Sequence, residues 1–446
     1  VLALVLLAPA CADEPAGPPH VVVWMVDTLR ADHLSCYGYE RETSPRLDAL
    51  AARGVLFEEM HAHSNWTQPS VASILSGTYP MSQAGDFTTA LPDEVLLAAE
   101  WYARHGYRTA GFTTTVAVAR RFGFGQGFEV YEELDLLEPM RARKRRAGSA
   151  YDAERVVTAA LGWLDRRAPG DESPVFLYLH TVDPHEPYEP HPGGASFGEP
   201  YDGPVDGSIE TQVRIKRGEL VPSARDVQHL IDLYDGEIAY SDAQLGRLVD
   251  GLAERDLLDD VLLVVVSDHG QEFFEHGATG HGHESLFGEL THVPLVLHWP
   301  DGLRGGVRVP GLARGVDVLP TLLELCGLPP LPHADGVSLL ARIREQQPAD
   351  APVLVRRAKG RGERLAVRTP RWLLVEQGEA RAPTLFRAEG PTAESGAAGP
   401  PDGRLVDLLE AWRSLIEVRE AALGERADVP LDDETRRELE ALGYVR

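Results

Sequence analysis

The chain of 446 residues has only three cysteines, only three lysines (Lys144, Lys216 and Lys359) and, after its first dozen residues, no long apolar run. Each shortage excludes something. Three cysteines with no C-x-x-C pair cannot build a disulfide framework or a cysteine zinc cluster, so Cys36 and Cys326 read as buried and inert. Without an apolar stretch of about 20 residues no membrane-spanning helix is expected. Positive charge is also scarce: 43 basic residues face 69 acidic ones, a net charge of -26. Such a surface repels phosphate backbones and argues against nucleic-acid binding. The basic run 141–146 reads as a solvated loop ahead of a helix, although it would attract an acidic substrate. What remains, 43% hydrophobic and 25% charged residues, is the composition of a globular protein with a large core.

The opening VLALVLLAPAC is too short to span a bilayer but has the apolar core of an export signal, with small residues before Cys11. Residues 1–19 are expected to be an export signal and tether. In one reading Cys11 is lipidated and tethers the protein to a membrane, at the periplasmic face or cell surface. In the other the segment is an ordinary cleaved signal.

Apolar runs at 21–26 (VVVWMV), 175–180 (VFLYLH), 261–266 (VLLVVV) and 293–299 (VPLVLHW) read as buried strands. Helical patterns fall between them at 45–53, 93–105, 151–167 and about 223–255. In the third, Val156, Val157, Ala160, Leu161 and Leu164 form an apolar stripe. Strands alternating with helices indicate a mostly parallel sheet covered on both faces, an α/β architecture, over residues 20–345. The Pro- and Gly-rich stretch 186–222 is too long for a plain connection and suggests an active-site loop or an insertion. Near 345 the texture changes. REQQPADAP resembles a linker, followed by short strands (PVLVRR, RLAVRT, RWLLVEQ), a polar loop GPTAESGAAGPPDG and helices near 404–421 and 432–442. Residues 350–446 are expected to form a small α+β domain.

In open α/β sheets ligands bind beyond the carboxyl ends of the strands. Two strands end in acid there: VVVWMV runs into Asp27, and VLLVVVS into Asp268-His269-Gly270. A single strand-end Asp is commonly a cap or turn residue. Two of them with an adjacent His make three potential metal ligands at one sheet edge. Carboxylate and imidazole together suit Mn, Zn, Mg or Fe, and Ca less well. The third feature is Asn65-Trp66-Thr67-Gln68-Pro69-Ser70, where Pro69 fits the first turn of a helix. On a bland reading Thr67 is an N-cap and Ser70 is solvated. On a sharper one the helix N-terminus holds an anion, and the Thr67 hydroxyl, acidified by a divalent metal, attacks phosphorus or sulfur.

The chain resembles the sulfatase family of the alkaline phosphatase superfamily. The resemblance rests on strings in family order: VDTLRADHLSCYGY (26–39), TSPRLDALAARGVLFE (43–58), TQPSVASILSGTYP (67–80) and GYRTAGF (106–112). DPHEPY (183–188), YDGEIAYSD (234–242), SDHGQEFFEHG (267–277) and HGHESLFGELTHVPLVL (281–297) follow. DVLPTLLELCG (317–327), DGVSLL (335–340) and LDDETRRELEALGY (431–444) complete the series. It implies a three-layer αβα sandwich with a mixed, mostly parallel central sheet, a small C-terminal α+β domain and one divalent metal (Mn, Zn, Mg or Ca). By position, Asp27, Asp268 and His269 are the implied metal ligands, and Thr67 the nucleophile that also touches the metal. His185, with His281 or His283, falls where the family holds the transferred anion or protonates the leaving oxygen. Thr115 falls where many relatives have an anion-contacting Asn. His180 either lines the same pocket or, as a strand-end His often does, serves the structure, and it is left out of the catalytic set.

The departures matter as much. The formylglycine modification needs Cys or Ser followed by x-P-S-R; here Thr67 carries a methyl on the carbon to be oxidised, and the Arg position is Val71. The Lys after the GYRTA segment is missing, with Phe112 and Thr113 there, and the second acid of the DD pair is Thr28. Fewer cations mean weaker clamping of a sulfate-like anion. The expectation is therefore a metal-dependent hydrolase or transferase of phosphate mono- or diesters working through Thr67. The alternatives are a sulfuric ester hydrolase with unmodified Thr67, and a silent relative that binds a sulfated or phosphorylated glycan or lipid. One metal is favoured over two, because Asp183 and His185 do not have the D-x-x-x-H spacing of two-metal relatives.

Overall fold

The computed structural model describes residues 17–80, 87, 89–134, 153–191, 194–283, 285–348, 351–357, 362–377, 382–397, 402–423 and 429. The export segment through residue 16, the basic run 141–146, Glu284, the expected helix 432–442 and the string 431–444 lie outside the described residues.

The main sheet has the strand order β10-β2-β9-β6-β1-β5-β3-β4. Its strands are β1 (His20–Val26), β2 (Val55–His61), β3 (Arg108–Thr113), β4 (Val130–Glu133), β5 (Val175–Thr181), β6 (Val261–Ser267), β9 (Leu295–His298) and β10 (Val307–Arg314), with a small hairpin of β7 (Glu272–Phe273) and β8 (Thr279–Gly280) apart from it. Only β9 runs against its neighbours β2 and β6, so the sheet is mixed but mostly parallel. The longer helices are α1 (Pro45–Arg53), α2 (Thr67–Ser76), α3 (Ala98–Arg104), α4 (Ala153–Asp165), α5 (Ile209–Lys216), α6 (Ala224–Ala253), α7 (Gly315–Leu325) and α8 (Gly403–Ala422).

Side-chain alternation along the central strands divides the core into two layers. Val21, Val23 and Met25 of β1 face Val71 and Ile74 of α2, Tyr102 of α3 and Leu322 of α7. Val22, Trp24 and Val26 face Leu50 of α1, Val156 and Val157 of α4 and Leu245 of α6. Both faces are thus apolar, which is why the central strands read as continuous hydrophobic runs.

The second sheet is antiparallel: β11 (Val353–Arg357), β12 (Arg364–Arg368), β13 (Trp372–Gln377), β14 (Ala382–Ala388) and β15 (Glu394–Ala397). One face packs Leu354, Leu365 and Leu374 under Leu409 and Trp412 of α8. The other packs Val353 and Val355 on Leu286, Phe287 and Leu312 of the first unit. This is the αβα sandwich with a C-terminal antiparallel sheet expected from the strings.

Several details differ from expectation. The helix expected over 93–105 covers only Ala98–Arg104, because the Glu100 carboxylate accepts from Leu97 N (3.0 Å) and sets the first turn there. The polar stretch 390–403 contains β15, anchored by the buried Arg368–Glu394 pair. Cys36 is half-buried, not buried; burial and the neighbouring Asp48 raise its thiol pKa. Cys326 is buried, and burial raises it to about 11, so both stay protonated thiols at neutral pH. Among the described residues no helix is long and apolar enough to cross a membrane.

Candidate metal-centred active site

Strands β1 and β6 are parallel neighbours with Val26 opposite Ser267, so Asp27 and Asp268 emerge side by side at one rim. Thr28 then turns the chain off the sheet with a φ of 56°. That left-handed conformation is unusual for a β-branched residue and is held by its surroundings. Its N–H donates to Asp268 Oδ1 (3.2 Å), and its carbonyl accepts from the Tyr234 hydroxyl (2.7 Å). The His269 N–H donates to the same Asp268 Oδ1 (2.8 Å). The other oxygen, Oδ2, is buried without a hydrogen-bond partner, as is Asp27 Oδ1.

His269 points its ring at these two oxygens. Its Nδ1–H donates to the Gly270 carbonyl (3.0 Å), which leaves Nε2 directed at the oxygens. Gly270 is required there, since a Cβ would lie 2.0 Å from the Glu289 carbonyl oxygen. His269 Nε2 is 3.6 Å from Asp27 Oδ1, 3.4 Å from Asp268 Oδ2 and 3.2 Å from Thr67 Oγ1. Donors bonded at about 2.1 Å to one ion lie about 3.0–3.4 Å apart in octahedral and tetrahedral shells. The His269 distances are close to those edges. Burial, reinforced by the Asp268 charge, holds the Asp27 carboxyl well above its usual pKa, and burial also raises that of Asp268. Two buried acids that resist ionising side by side are an arrangement that a bound cation would stabilise.

Thr67 is the first residue of α2, after Trp66 as the cap, so its hydroxyl sits at the positive end of that helix. The bland reading of this motif fails in detail: Thr67 is not the cap, and Ser70 is buried and donates to the Ser64 carbonyl (2.9 Å). Val71, in place of the motif Arg, belongs to the apolar core.

The structure brings in His180, which sequence reasoning leaves out. His180 lies on β5 with a ligand atom within 4.8 Å of those of both Asp27 and Asp268. Burial lowers its pKa to about 3, so the ring is neutral. It is the register that brings it there: β5 ends level with β1, with Met25 opposite His180.

Of the candidate groups for the transferred anion, His185 and His281 stand together. Their rings are 4.8 Å apart, and that of His281 is 4.6 Å from that of His269. His185 Nδ1–H donates to the Glu186 carbonyl (2.5 Å), and His281 Nδ1–H to Gln271 Oε1 (3.1 Å). Burial lowers both pKa values. His283 turns elsewhere: its Nε2 is 3.3 Å from Glu272 Oε2, and its carbonyl accepts from Asn65. Burial lowers the His283 pKa to about 4, and raises that of Glu272 to about 7. The Thr115 hydroxyl accepts from Ala117 N (3.2 Å) as the cap of a single turn. Asp183 accepts from Ala153 N (3.1 Å) at the start of α4 and gathers with His191 and Glu237.

Two further residues were not legible as site components. Gln271, whose amide donates to the Tyr188 hydroxyl (2.7 Å), thereby presents its oxygen to His281. Lys216, at the end of α5 within the stretch 186–222, forms an ion pair with Glu186 beside His185. Its charge lowers the pKa of His185 and His281.

Comparisons with known proteins bear on the family and the fold. The Sulfatase family model matches residues 19–328. Arylsulfatase K of Homo sapiens is 23% identical over 376 residues, 76% of this chain and 69% of that protein. Arylsulfatase K of Canis lupus familiaris is 22% identical over 364 residues, 73% of this chain and 66% of its own length. The chain thus spans about two thirds of the length of these curated relatives. Among solved structures, BT4656 in complex with its substrate D-glucosamine-2-N,6-O-disulfate superposes with a TM-score of 0.72 at 18% identity, covering 91% of this chain and 99% of that one. The phosphonate monoester hydrolase of Agrobacterium radiobacter gives 0.67 at 23% identity, covering 90% and 96%. The chain belongs to the sulfatase family, within the alkaline phosphatase-like superfamily of hydrolases.

Proposed function

We propose that the protein is a metal-dependent hydrolase, or transferase, of phosphate esters in which Thr67 becomes covalently substituted. The observation that carries this reading is the gathering of Asp27 Oδ1, Asp268 Oδ2 and the Thr67 hydroxyl around His269 Nε2, at 3.6, 3.4 and 3.2 Å. Those four residues fit one divalent ion, which when bound would offset the two carboxylate charges and make the hydroxyl more acidic. The N-terminus of α2 favours negative charge at the same point. Thr67 Oγ1, having lost its proton to water, forms a bond to phosphorus as the bond to the ester oxygen breaks. The departing oxygen takes a proton from the imidazolium form of His185 or His281. Both rings are neutral by burial, and an incoming anion favours their protonation. Water or another alcohol then releases the group from Thr67. Thr115 as an anion contact, and His283 as an alternative to His281, rest on the resemblance alone.

Sulfate ester hydrolysis by unmodified Thr67 is the second reading, favoured by the family match and the arylsulfatase relatives. The lost motif cations, with Val71 in the core and Phe112 buried, favour the phosphate reading. Silent binding of a sulfated or phosphorylated glycan or lipid is disfavoured by the complete donor set. A glycan or small-molecule ester fits the complex described for BT4656. Export to the periplasm or cell surface, with a tether at Cys11, rests on the apolar run before that residue.

The test is a panel of p-nitrophenyl phosphate, bis-phosphate, phosphonate and sulfate esters with the wild type, Thr67→Ala and Thr67→Ser. Phosphorus esters are expected to be cleaved, with Thr67→Ala slower by about 10³-fold or more and Thr67→Ser retaining activity. Cleavage of the sulfate alone replaces this reading with the second. Mass spectrometry of the Thr67 peptide after substrate soaking should show one added phosphoryl group; a Thr67→Ala enzyme as active as the wild type would refute covalent catalysis.

A further inference from the structure

We propose that His180 is an additional protein ligand of the ion, and that the resulting pair of imidazoles makes the centre select a transition cation such as Zn²⁺ or Mn²⁺ over Ca²⁺. The inference rests on the metal-centre reading above and deepens it.

The placement follows from the strand. Alternation puts Tyr178 and His180 on the same face of β5, and Tyr178 belongs to the core layer that contains α2. His180 is therefore on the side of the sheet from which Thr67 approaches. Its Nε2 is buried and has no hydrogen-bond partner, like Asp27 Oδ1 and Asp268 Oδ2. One ring nitrogen of His180 and one carboxylate oxygen each of Asp27 and Asp268 lie within 4.8 Å of one another. His180 Nδ1 is 2.8 Å from the Tyr178 hydroxyl. With Nδ1–H donating to that hydroxyl, Nε2 carries the lone pair. An imidazole with one nitrogen anchored and the other unpartnered is the usual arrangement of a ligating histidine.

A purely structural His180 explains less. The buried Nε2 atoms of His61 and His63 also lack partners, so it is the grouping with two buried acids that sets His180 apart. The sequence also lacks an acid at position 28, where the hydroxyl of Thr28 is buried and unpartnered. That removes one hard oxygen donor from the rim, while β5 adds a nitrogen. Two carboxylates and two imidazoles, with the Thr67 hydroxyl, form a donor set suited to Zn²⁺ or Mn²⁺. Ca²⁺ prefers six to eight oxygens, which this set does not offer.

The experiment loads the full chain, stripped by chelator and dialysed, with Zn²⁺, Mn²⁺, Ca²⁺ or Cu²⁺ in turn. Isothermal titration of the wild type should give one tight site for Zn²⁺ and weaker binding of Ca²⁺. His180→Ala should weaken Zn²⁺ binding by about 100-fold or more and narrow the preference over Ca²⁺, with Tyr178→Phe costing about 10-fold as a positioning residue. Electron spin-echo modulation of the Cu²⁺-loaded wild type needs no variant and should count two coordinated imidazoles. One imidazole only, or a His180→Ala protein with wild-type affinity and selectivity, overturns the inference while leaving the centre intact, provided Asp268→Asn still abolishes binding. A wild type that takes up none of these ions, with Asp268→Asn indistinguishable from it, overturns the metal-centre reading and this inference together.

Discussion

In the C-terminal sheet, Arg356 and Arg368 are buried and each meets carboxylates: Glu363 at 2.7 Å and Glu420 at 2.8 Å for the first, Glu394 at 2.6 Å for the second. At the rim of the main sheet, Asp27 and Asp268 are just as buried, yet no lysine or arginine among the described residues pairs with either. The same chain solves the same electrostatic problem in one place and leaves it open in another. Neutralising pairs serve where the charges hold layers together, as Arg413 does between Glu363 and Glu376. The unbalanced pair lies beside a hydroxyl at a helix N-terminus, where an external cation would have chemistry to support.

Removing half of the unbalanced pair should have the largest effect. Asp27→Asn is expected to abolish ion uptake and lower ester cleavage by about 10³-fold or more. The ion-free variant should nevertheless unfold at a higher temperature than ion-free wild type, since a neutral amide removes the burial cost and the Asp268 repulsion that raise the Asp27 pKa. An equal or lower melting point, by calorimetry, would break the comparison.

In the C-terminal sheet the opposite holds. Arg368→Ala leaves Glu394 buried without its partner and should cost about 3–5 kcal/mol in guanidinium unfolding. Replacing both by Met should be close to neutral. Neither change should alter ion binding.

The pH dependence of the ion-free protein sharpens the contrast. Asp27 is raised well above its ordinary value of 3.8. Between that value and the higher folded one, the native state holds a proton that the unfolded chain has released. The unfolded state binds fewer protons, so stability falls as pH rises through this window. Loading Zn²⁺ or Mn²⁺ should flatten that slope, as urea melts from pH 4 upward would show.

The smallest expected effect concerns Lys216. Its charge lowers the pKa of His185 and His281, so Lys216→Met should move the imidazole-dependent limb of the pH–rate profile upward by less than about one unit. A downward shift would contradict the placement of that cation.

Legibility in the sequence followed the length of the physical signal. Strands such as Val261–Ser267 and helices such as Pro45–Arg53 and Ala224–Ala253 were readable because burial on both sheet faces or on one helix face leaves a run or a stripe. Asp27, Asp268 and His269 were readable because they follow such strands directly. His180 was not, because a strand-end histidine has the same sequence context whether it packs or ligates, and only the register of β5 beside β1 brings it to the acids. Lys216 was hidden by the irregular stretch before it, and His281 and His283 could not be told apart until the chain bent the second toward Glu272. Strand β10 carries Pro310 and Gly311 at a register shift on the sheet edge, where a proline is tolerated but breaks the pattern that identifies a strand.

The most direct test of the central claim is elemental analysis of the purified chain, with its melting temperature before and after chelation, alongside Asp27→Asn. The account predicts one divalent ion per wild-type chain, a lower melting point once the ion is stripped, and no response to chelator in the variant. A wild-type chain that holds no ion after incubation with Zn²⁺ or Mn²⁺, and melts at the same temperature with and without them, would contradict it.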